Sequence, residues 1–150
     1  MRVRETLERV PVEAVMTRSP VTVEQDAPLA DAAGALLEGG FRHLPVLGDG
    51  RLVGMLSERD LRSHLGTEVA AFTDATLEAL DELVSEAMTP DPISVRTGTP
   101  LSEALAIFAN ERVGAVPVLD EADQLVGILS YVDIFCWLRD NAERELRTTT

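Results

Sequence analysis

The order of apolar and polar residues along this chain occurs twice. Residues 21–23 and 93–95 alternate apolar and polar side chains, which predicts two short half-buried strands. After each strand, apolar residues recur at helical spacing and predict an amphipathic helix. These apolar positions are Leu29, Ala32, Ala33, Leu36 and Leu37 in the first copy and Leu101, Ala104, Leu105 and Phe108 in the second. Both copies therefore begin with a strand and a helix.

Polar residues, prolines and glycines mark the ends of these helices. Asp26 and Thr99 are predicted N-caps, because a side-chain oxygen there can accept a hydrogen bond from a free backbone N–H. Pro28 and Pro100 fit the first turn, where a missing N–H costs little. The pair Gly39-Gly40 is expected to end the first helix.

Two short apolar runs follow in each copy, with turn residues between them. Residues 44–47 and 52–56 flank Gly48-Asp49-Gly50, and residues 116–119 and 125–129 flank a turn at residues 121–123. Gly and Asp at the reversal favour a β-hairpin. Ser57 and Ser130 are then predicted to cap a second helix. Each copy is therefore an α/β unit of strand, helix, strand, strand and helix.

Identical residues confirm the duplication at the level of sequence. Met16-Thr17 recurs 72 residues later as Met88-Thr89. The same offset relates Pro20 to Pro92, Pro28-Leu29 to Pro100-Leu101, and Pro45-Val46-Leu47 to Pro117-Val118-Leu119. After one extra residue, Leu52-Val53-Gly54 corresponds to Leu125-Val126-Gly127, Ser57 to Ser130 and Asp60 to Asp133. The chain is therefore an internal repeat.

The repeat divides the chain into a first motif at 10–65, a linker helix at 66–83, a second motif at 84–138 and a C-terminal helical tail at 139–150. Residues 73–87 predict an amphipathic linker helix whose buried side carries Leu77, Leu80, Leu83 and Val84. One copy alone cannot cover both faces of its sheet, so we expect the two copies to pack into one domain.

Charge and cysteine content limit the classes of function. The formal net charge of −13 argues against general nucleic-acid binding, which needs a basic surface. A small anionic ligand is still compatible, because a local pocket can be positive on an acidic protein. The first ten residues lack the apolar run of a signal peptide, and no stretch approaches the roughly 18 apolar residues of a membrane span. With Cys136 as the single cysteine, we expect a cytoplasmic protein without a membrane partner.

The twinned motifs resemble the cystathionine-β-synthase (CBS) domain pair, also called a Bateman module. The resemblance rests on VMTRSPVTV, on the run from DAPLADAAGALLEGG through FRHLPVLGDGRLVGMLSERDL, and on their second copies. It covers residues 10–138. It implies a stand-alone regulatory module with two clefts related by a pseudo-twofold axis. It further implies binding of AMP, ADP, ATP or S-adenosylmethionine, with no other cofactor required, and a homodimer formed as a disc of four motifs. A regulated partner protein is implied too, and the sequence does not identify it.

The Ser-x-x-Asp motif carries the predicted binding chemistry. By itself it is a helix start, in which Ser accepts an N–H and the acid lies in the first turn. Here it occurs twice, as Ser57/Asp60 and Ser130/Asp133, each directly after a predicted strand. Free N–H groups at such a helix start favour a phosphate, and an Asp there can accept hydrogen bonds from ribose hydroxyls. We therefore expect the motif to serve both capping and ligand binding.

By resemblance, each cleft combines the Asp of one copy with an adenine wall from the other. The first cleft would hold Ser130, Asp133, Thr17, Val21, Arg42 and His43, and the second Ser57, Asp60, Thr89, Ile93, Gly114 and Ala115. Arg42-His43 corresponds to Gly114-Ala115 in the second copy, so only one cleft gains basic side chains. We therefore expect the Asp133 cleft to bind phosphorylated ligands more strongly. Arg59 is a weaker candidate for phosphate, because Val132 replaces it in the second copy.

Catalytic and metal-binding chemistry is not expected. Cys136 lies in an apolar run at residues 134–138 and fits a buried structural thiol better than a nucleophile. His43 and His64 are 21 positions apart without the pattern of a zinc site, and no phosphate loop is present. The alternative to a ligand sensor is therefore a module for protein interaction or dimerisation whose clefts stay empty.

Overall fold

The computed structural model describes residues 2–66 and 74–148. The chain divides into two compact units. Unit 1 consists of Met1–Ser19 and Ile93–Thr150, and unit 2 of Pro20–Pro92. Each unit contains most of one copy of the repeat together with the first residues of the other copy.

The elements follow the predicted order in both copies. The helices are α1 (Val3–Arg9), α2 (Leu29–Gly39), α3 (Glu58–Leu65), α4 (Asp74–Ala79), α5 (Val84–Ala87), α6 (Leu101–Glu111) and α7 (Tyr131–Thr148), with a 3-10 turn at Val12–Ala14. The strands are β1 (Thr17–Arg18), β2 (Val23–Glu24), β3 (His43–Gly48), β4 (Arg51–Ser57), β5 (Thr89–Pro90), β6 (Val95–Arg96), β7 (Ala115–Leu119) and β8 (Leu125–Ser130). The first strand of each copy, β2 and β6, lies slightly later than the alternating pattern predicts.

Each unit has one mixed four-stranded sheet of the same design. In unit 2 the order is β2-β3-β4-β5, where β2 runs parallel to β3 and the other pairs are antiparallel. In unit 1 the order β6-β7-β8-β1 repeats that arrangement. The last strand of each sheet comes from the beginning of the other copy: β1 pairs with β8, and β5 with β4. The predicted α/β repeat and both predicted hairpins are confirmed.

Each unit buries its own aliphatic core between its sheet and its helices. In unit 1 the buried residues are Val12, Met16, Val95, Leu101, Ala104, Val116, Val118, Leu129 and Ile134. In unit 2 they are Leu29, Ala32, Leu36, Leu44, Val46, Leu56, Leu61 and Val84. The helical stripes are confirmed except at Leu37, whose residue surface is 85% exposed. Leu37 lies at the edge of the apolar arc of α2, beyond the reach of the core.

The predicted side-chain caps at Asp26 and Thr99 are wrong. Pro28 and Pro100 occupy the N-cap positions of α2 and α6, without a side-chain capping hydrogen bond. Backbone carbonyls from elsewhere in the same unit take over this task. Leu29 N donates to Glu82 O at 2.8 Å, and Leu101 N donates to Val10 O at 2.9 Å. The predicted end of α2 is confirmed, since Gly40 adopts a left-handed conformation with φ 68°.

The single linker helix predicted for residues 73–87 is wrong. Two short helices, α4 and α5, are separated by a stretch whose backbone pairs with the start of α2. Leu80 O accepts from Ala30 N at 3.0 Å, and Leu83 forms a β-bridge with Pro28. Because these groups bond to another segment, they cannot continue a helix. Val84 is buried as predicted, whereas Leu77 and Leu83 are exposed. Residues 67–73 of the predicted linker lie outside the described residues.

Both ends of the chain add helix to unit 1. The sequence pattern did not predict α1, which contacts α6; Leu7 of α1 and Val10 directly after it pack at the edge of the core. The C-terminal tail continues α7 as far as Thr148. Among the described residues, no helix has both the length and the apolar character to cross a bilayer.

Candidate functional site

The Ser-x-x-Asp motifs form reciprocal capping boxes in both units. In unit 2, Asp60 N donates to Ser57 Oγ at 3.0 Å, and Ser57 N donates to Asp60 Oδ2 at 3.0 Å. In unit 1, the equivalent bonds between Ser130 and Asp133 measure 3.1 and 3.0 Å. The predicted capping by Ser57 and Ser130 is therefore confirmed. Each motif lies where a strand, β4 or β8, passes directly into a helix.

Both aspartates keep acceptor capacity beyond the capping box. A carboxylate offers about four lone-pair sites, and the box uses one hydrogen bond to Oδ2. Asp60 and Asp133 are both partly exposed to solvent. Their carboxylates are held in one orientation by the helix start and can still accept hydroxyl donors from a ligand.

In unit 2, two basic residues lie beside the Ser57–Asp60 helix start. His43 is the first residue of β3 and pairs in register with Ser57, the last residue of β4. Glu58 N donates to Arg42 O at 2.9 Å, which fixes the backbone before β3 to the first turn of α3. The geometry therefore places Arg42 and His43 in the same unit as Asp60.

The charge state of His43 depends on these neighbours. Burial lowers the pKa of His43 below its ordinary value of 6.5; the carboxylate of Asp60 opposes this shift, and the guanidinium of Arg42 adds to it. The neutral imidazole is thus favoured near pH 7 without an anion. The side chains of Arg42 and Arg59 are exposed and make no ion pair with another described side chain. The residues next to this helix start therefore include two arginines and a titratable imidazole, side chains that favour an anion.

Unit 1 has the same backbone arrangement without the basic side chains. Ala115 pairs in register with Ser130, and Tyr131 N donates to Gly114 O at 3.4 Å. Gly114 and Ala115 occupy the positions of Arg42 and His43, and Val132 that of Arg59. The two helix starts are therefore alike in backbone and unlike in charge.

The threonines of the repeated Met-Thr pair lie on β1 and β5, the two strands that pair with a strand of the other copy. Thr17 on β1 pairs with Ile128 of β8, and Thr89 on β5 pairs with Met55 of β4. Thr17 therefore shares a sheet with Ser130, and Thr89 shares one with Ser57. The predicted adenine residues Val21 and Ile93 are 51% and 41% exposed in the segments before β2 and β6.

Sequence reasoning missed why a glycine occurs opposite each Met-Thr pair. A Cβ atom on Gly127 would overlap the Sδ of Met16, and one on Gly54 would overlap the Sδ of Met88. These glycines let the methionines lie flat against β8 and β4, beside Thr17 and Thr89. The signal was present in the sequence, because both the methionines and the glycines repeat.

The structure thus brings the candidate residues together in two sets. Unit 1 holds Thr17, Ile93, Gly114, Ala115, Ser130 and Asp133, and unit 2 holds Val21, Arg42, His43, Ser57, Arg59, Asp60 and Thr89. The predicted clefts, which combine residues of both copies, stay a prediction. Within residues 2–66 and 74–148, no group of three or more His, Cys, Asp or Glu side chains could hold a metal ion.

Comparison with known proteins identifies the repeat. The CBS domain family model matches residues 12–67 and 84–140. A CBS domain-containing protein of Dictyostelium discoideum is 30% identical over 131 residues, which cover 84% of this chain and 89% of that protein. Protein MJ1225 of Methanocaldococcus jannaschii is 30% identical over 126 residues, 82% of this chain and 45% of its own length. Several enzymes also match, over 22–24% of their own length.

Solved structures share the fold of this chain. The crystal structure of MJ1225 matches with a TM-score of 0.76 and 28% identity, over 91% of this chain and 51% of that one. This chain therefore spans about half the length of MJ1225. The crystal structure of CBSX2 in complex with AMP matches with a TM-score of 0.74 and 27% identity, over 87% of this chain and 97% of that one, and CBSX2 is a CBS-pair protein of Arabidopsis thaliana. With two matched domains that cover most of its length, the chain belongs to the CBS domain family.

Proposed function

We propose that the protein is a regulatory module that binds an adenosine nucleotide, AMP, ADP or ATP, and that it is not an enzyme. The observation that carries this proposal is the pair of Ser–Asp capping boxes at strand-to-helix junctions in both units. The similarity to CBSX2, a protein crystallised with AMP, supports an adenosine ligand. No metal or further cofactor is part of the proposal.

Each part of the nucleotide has a proposed partner. The carboxylates of Asp60 and Asp133 accept hydrogen bonds from the ribose hydroxyls, since their orientation is already fixed by the capping boxes. Phosphate oxygens accept from the N–H groups at the helix starts and from the hydroxyls of Ser57 and Ser130. Charged phosphate contacts come from Arg42, His43 and Arg59. The proposed adenine-binding residues are Thr17, Val21, Thr89, Ile93, Gly114 and Ala115.

Regulation follows if the ligand binds one conformation better than another, because only differential affinity shifts an equilibrium. We propose that occupancy alters the conformation of the protein or its affinity for a regulated protein, as in energy sensing. The proposal includes a homodimer with four CBS motifs, a cytoplasmic location, and neither nucleic acid nor membrane as a partner. The single cysteine supports a cytoplasmic location. The net charge of −13 argues against a nucleic-acid partner.

The second candidate function is protein interaction or dimerisation without a ligand. One observation favours it: Tyr131, Val132 and Phe135 form an exposed apolar patch on α7. Contiguous exposed apolar side chains are a feature of protein interaction surfaces. The two functions are compatible, and ligand binding distinguishes a sensor from a purely structural module.

Thermal unfolding with AMP, ADP, ATP and S-adenosylmethionine tests the proposal. A ligand at 100 times its dissociation constant stabilises the native state by about 2.7 kcal/mol. We expect a clear rise in melting temperature with at least one phosphorylated ligand, and a clearly smaller rise in the Asp60→Asn/Asp133→Asn double variant. A rise with S-adenosylmethionine alone would replace the nucleotide by that ligand. Unchanged melting across the panel, with no nucleotide released from the purified protein on denaturation, would favour the interaction module.

A further inference from the structure

The linker in unit 2 has a counterpart at the start of the chain. At the offset of the repeat, residues 2–11 correspond to residues 74–83. We call them the N-terminal segment and the linker segment. Each contains a short helix, α1 or α4, and ends in a β-bridge to Pro100 or Pro28 at the start of a longer helix. The two segments are therefore attached to their units by the same backbone arrangement.

Apolar side chains hold the N-terminal segment on unit 1. Leu7 and Val10 pack against the buried core, and Trp137 of α7 packs against the same core. Burial of aliphatic and aromatic surface stabilises such packing in proportion to the area removed from water. Detachment of this segment would expose that surface, so it is unfavourable.

A polar contact takes the place of this packing in unit 2. Ala79, Glu82 and His64 occupy the positions of the three apolar side chains. Of residues 77–83, whose side chains the structure describes, none packs against the hydrophobic core of unit 2. Instead, Nε2 of His64 on α3 contacts Oε2 of Glu82, and the two side chains are 27% and 45% exposed. Water competes for both groups of a contact this exposed, so it holds the linker segment only weakly.

Helix α3 connects this contact to the candidate site. Asp60 in its first turn and His64 in its last turn are four residues apart and lie on the same face. α3 has eight residues, whereas its counterpart α7 has 18. A helix of eight residues is not stable in water by itself, so its order depends on neighbours that include α4. Detachment of α4 would therefore loosen the helix that orients Asp60.

We propose that the linker segment is the regulated element of the sensor. It opens locally from α3 while the core of unit 2 stays folded, and a ligand at the Ser57–Asp60 helix start keeps it closed. A ligand that requires an ordered α3 binds the closed form more tightly, so binding shifts the equilibrium towards closure. The control by ligand rests on the proposed function, whereas the local opening does not.

Hydrogen exchange of the full chain, followed by nuclear magnetic resonance, tests the opening. Leu29 N donates to the linker segment and Leu101 N to the N-terminal segment. Each is the first N–H of its helix and has no partner within that helix, so its protection reports on the segment. We expect the protection factor of Leu29 to be at least about tenfold lower than that of Leu101. Equal protection of the two amides would overturn the local opening.

Substitutions of Glu82 test the contact with His64. Glu82→Ala removes the partner of His64 and should lower the protection of Leu29 by about two- to fivefold. The matched control is Glu86→Ala, which removes an exposed acid of α5 and should leave that protection unchanged. Glu82→Val/His64→Trp introduces the residues of unit 1 and should raise it. If Glu82→Ala and Glu86→Ala behave alike, the contact does not hold the linker segment.

Saturating AMP tests the control by ligand. We expect AMP to raise the protection of Leu29 by about fivefold or more, and Glu82→Ala to weaken AMP binding while Glu86→Ala does not. AMP that binds in isothermal titration and leaves the protection of Leu29 unchanged would overturn the control by ligand alone. If AMP does not bind, that control and the proposed function fail together, and the exchange measured without ligand still decides the local opening.

Discussion

Ser57 and Asp60 hold each other through two hydrogen bonds of 3.0 Å, one in each direction between backbone N–H and side-chain oxygen. Ser130 and Asp133 repeat the arrangement in unit 1. The carboxylate is thereby oriented before any ligand arrives, so binding does not have to immobilise it. The proposed function therefore makes stability and ligand binding depend on the same four side chains.

Removal of the serine oxygen should weaken both properties. Ser57→Ala leaves Asp60 N without its acceptor, and the expected loss in free energy of unfolding is about 1 kcal/mol. Ser130→Ala should behave alike. Urea denaturation followed by circular dichroism measures the loss, and Ser57→Thr serves as control because it keeps the oxygen. An alanine variant as stable as the wild type would show that the capping box contributes nothing.

A side chain at Gly54 should disturb the pairing of β5 with β4, and one at Gly127 the pairing of β1 with β8. Ala at Gly54 would overlap the Sδ of Met88 and approach Thr89 O to 3.1 Å, so we expect Gly54→Ala to cost about 1–3 kcal/mol of unfolding free energy. Gly127→Ala should act in the same way through Met16. The matched control is Gly34→Ala in α2, where a new Cβ meets nothing within 4 Å and helix propensity favours alanine. Equal stability of Gly54→Ala and Gly34→Ala would contradict this account of the glycines.

The lowered pKa of His43 predicts a pH dependence of stability. Burial keeps this imidazole neutral in the folded state at a pH where the unfolded chain already binds the proton. The folded protein therefore loses stability as the pH falls from above 6.5 through the lowered pKa. His43→Ala, which introduces the residue of the second copy, should flatten this part of the profile.

Urea denaturation between about pH 5 and pH 8 measures the profile of both proteins, the range in which histidine titrates. Parallel profiles for wild type and His43→Ala would contradict the assignment. Bound phosphate should oppose the shift by stabilising the imidazolium. For AMP the affinity should accordingly increase towards low pH in the wild type more than in the variant.

The assignment of Arg42 and His43 to one of the two aspartates can be decided by two substitutions. The resemblance to other CBS pairs combines them with Asp133, which predicts that Asp133→Ala lowers AMP affinity more than Asp60→Ala does. The structure places Arg42 and His43 in the unit of Asp60. If Asp133→Ala leaves the affinity unchanged and Asp60→Ala abolishes it, the phosphate belongs with Asp60.

Local pattern was sufficient to predict the repeated elements. The hairpins, the helical stripes and the Ser57 and Ser130 caps depend on residues close in sequence, so periodicity and turn chemistry predict them. The twin Ser-x-x-Asp motif also predicts a candidate site at the helix starts, and its binding role stays a prediction. Its unequal charge followed from comparing Arg42-His43 with Gly114-Ala115.

Features that depend on distant backbone contacts could not be predicted. The sequence does not show that Glu82 O accepts a hydrogen bond from Leu29 N at the start of α2, so the local pattern predicts Asp26 as the cap. The same contacts interrupt the linker helix near Leu83. The pairing of β1 with β8 and of β5 with β4 could not be predicted either, because a two-residue strand carries no local signal for its partner.

Isothermal titration of AMP into the wild type and into the Asp60→Asn/Asp133→Asn double variant measures whether the two aspartates bind the nucleotide. Asn keeps the size of the side chain and can still accept from the serine N–H, so the variant should fold. We predict saturable binding to the wild type and a loss of at least about tenfold in affinity in the variant, the effect of replacing charged hydrogen-bond acceptors by neutral ones. Equal affinity in the two proteins, or no binding to the wild type, would contradict the account.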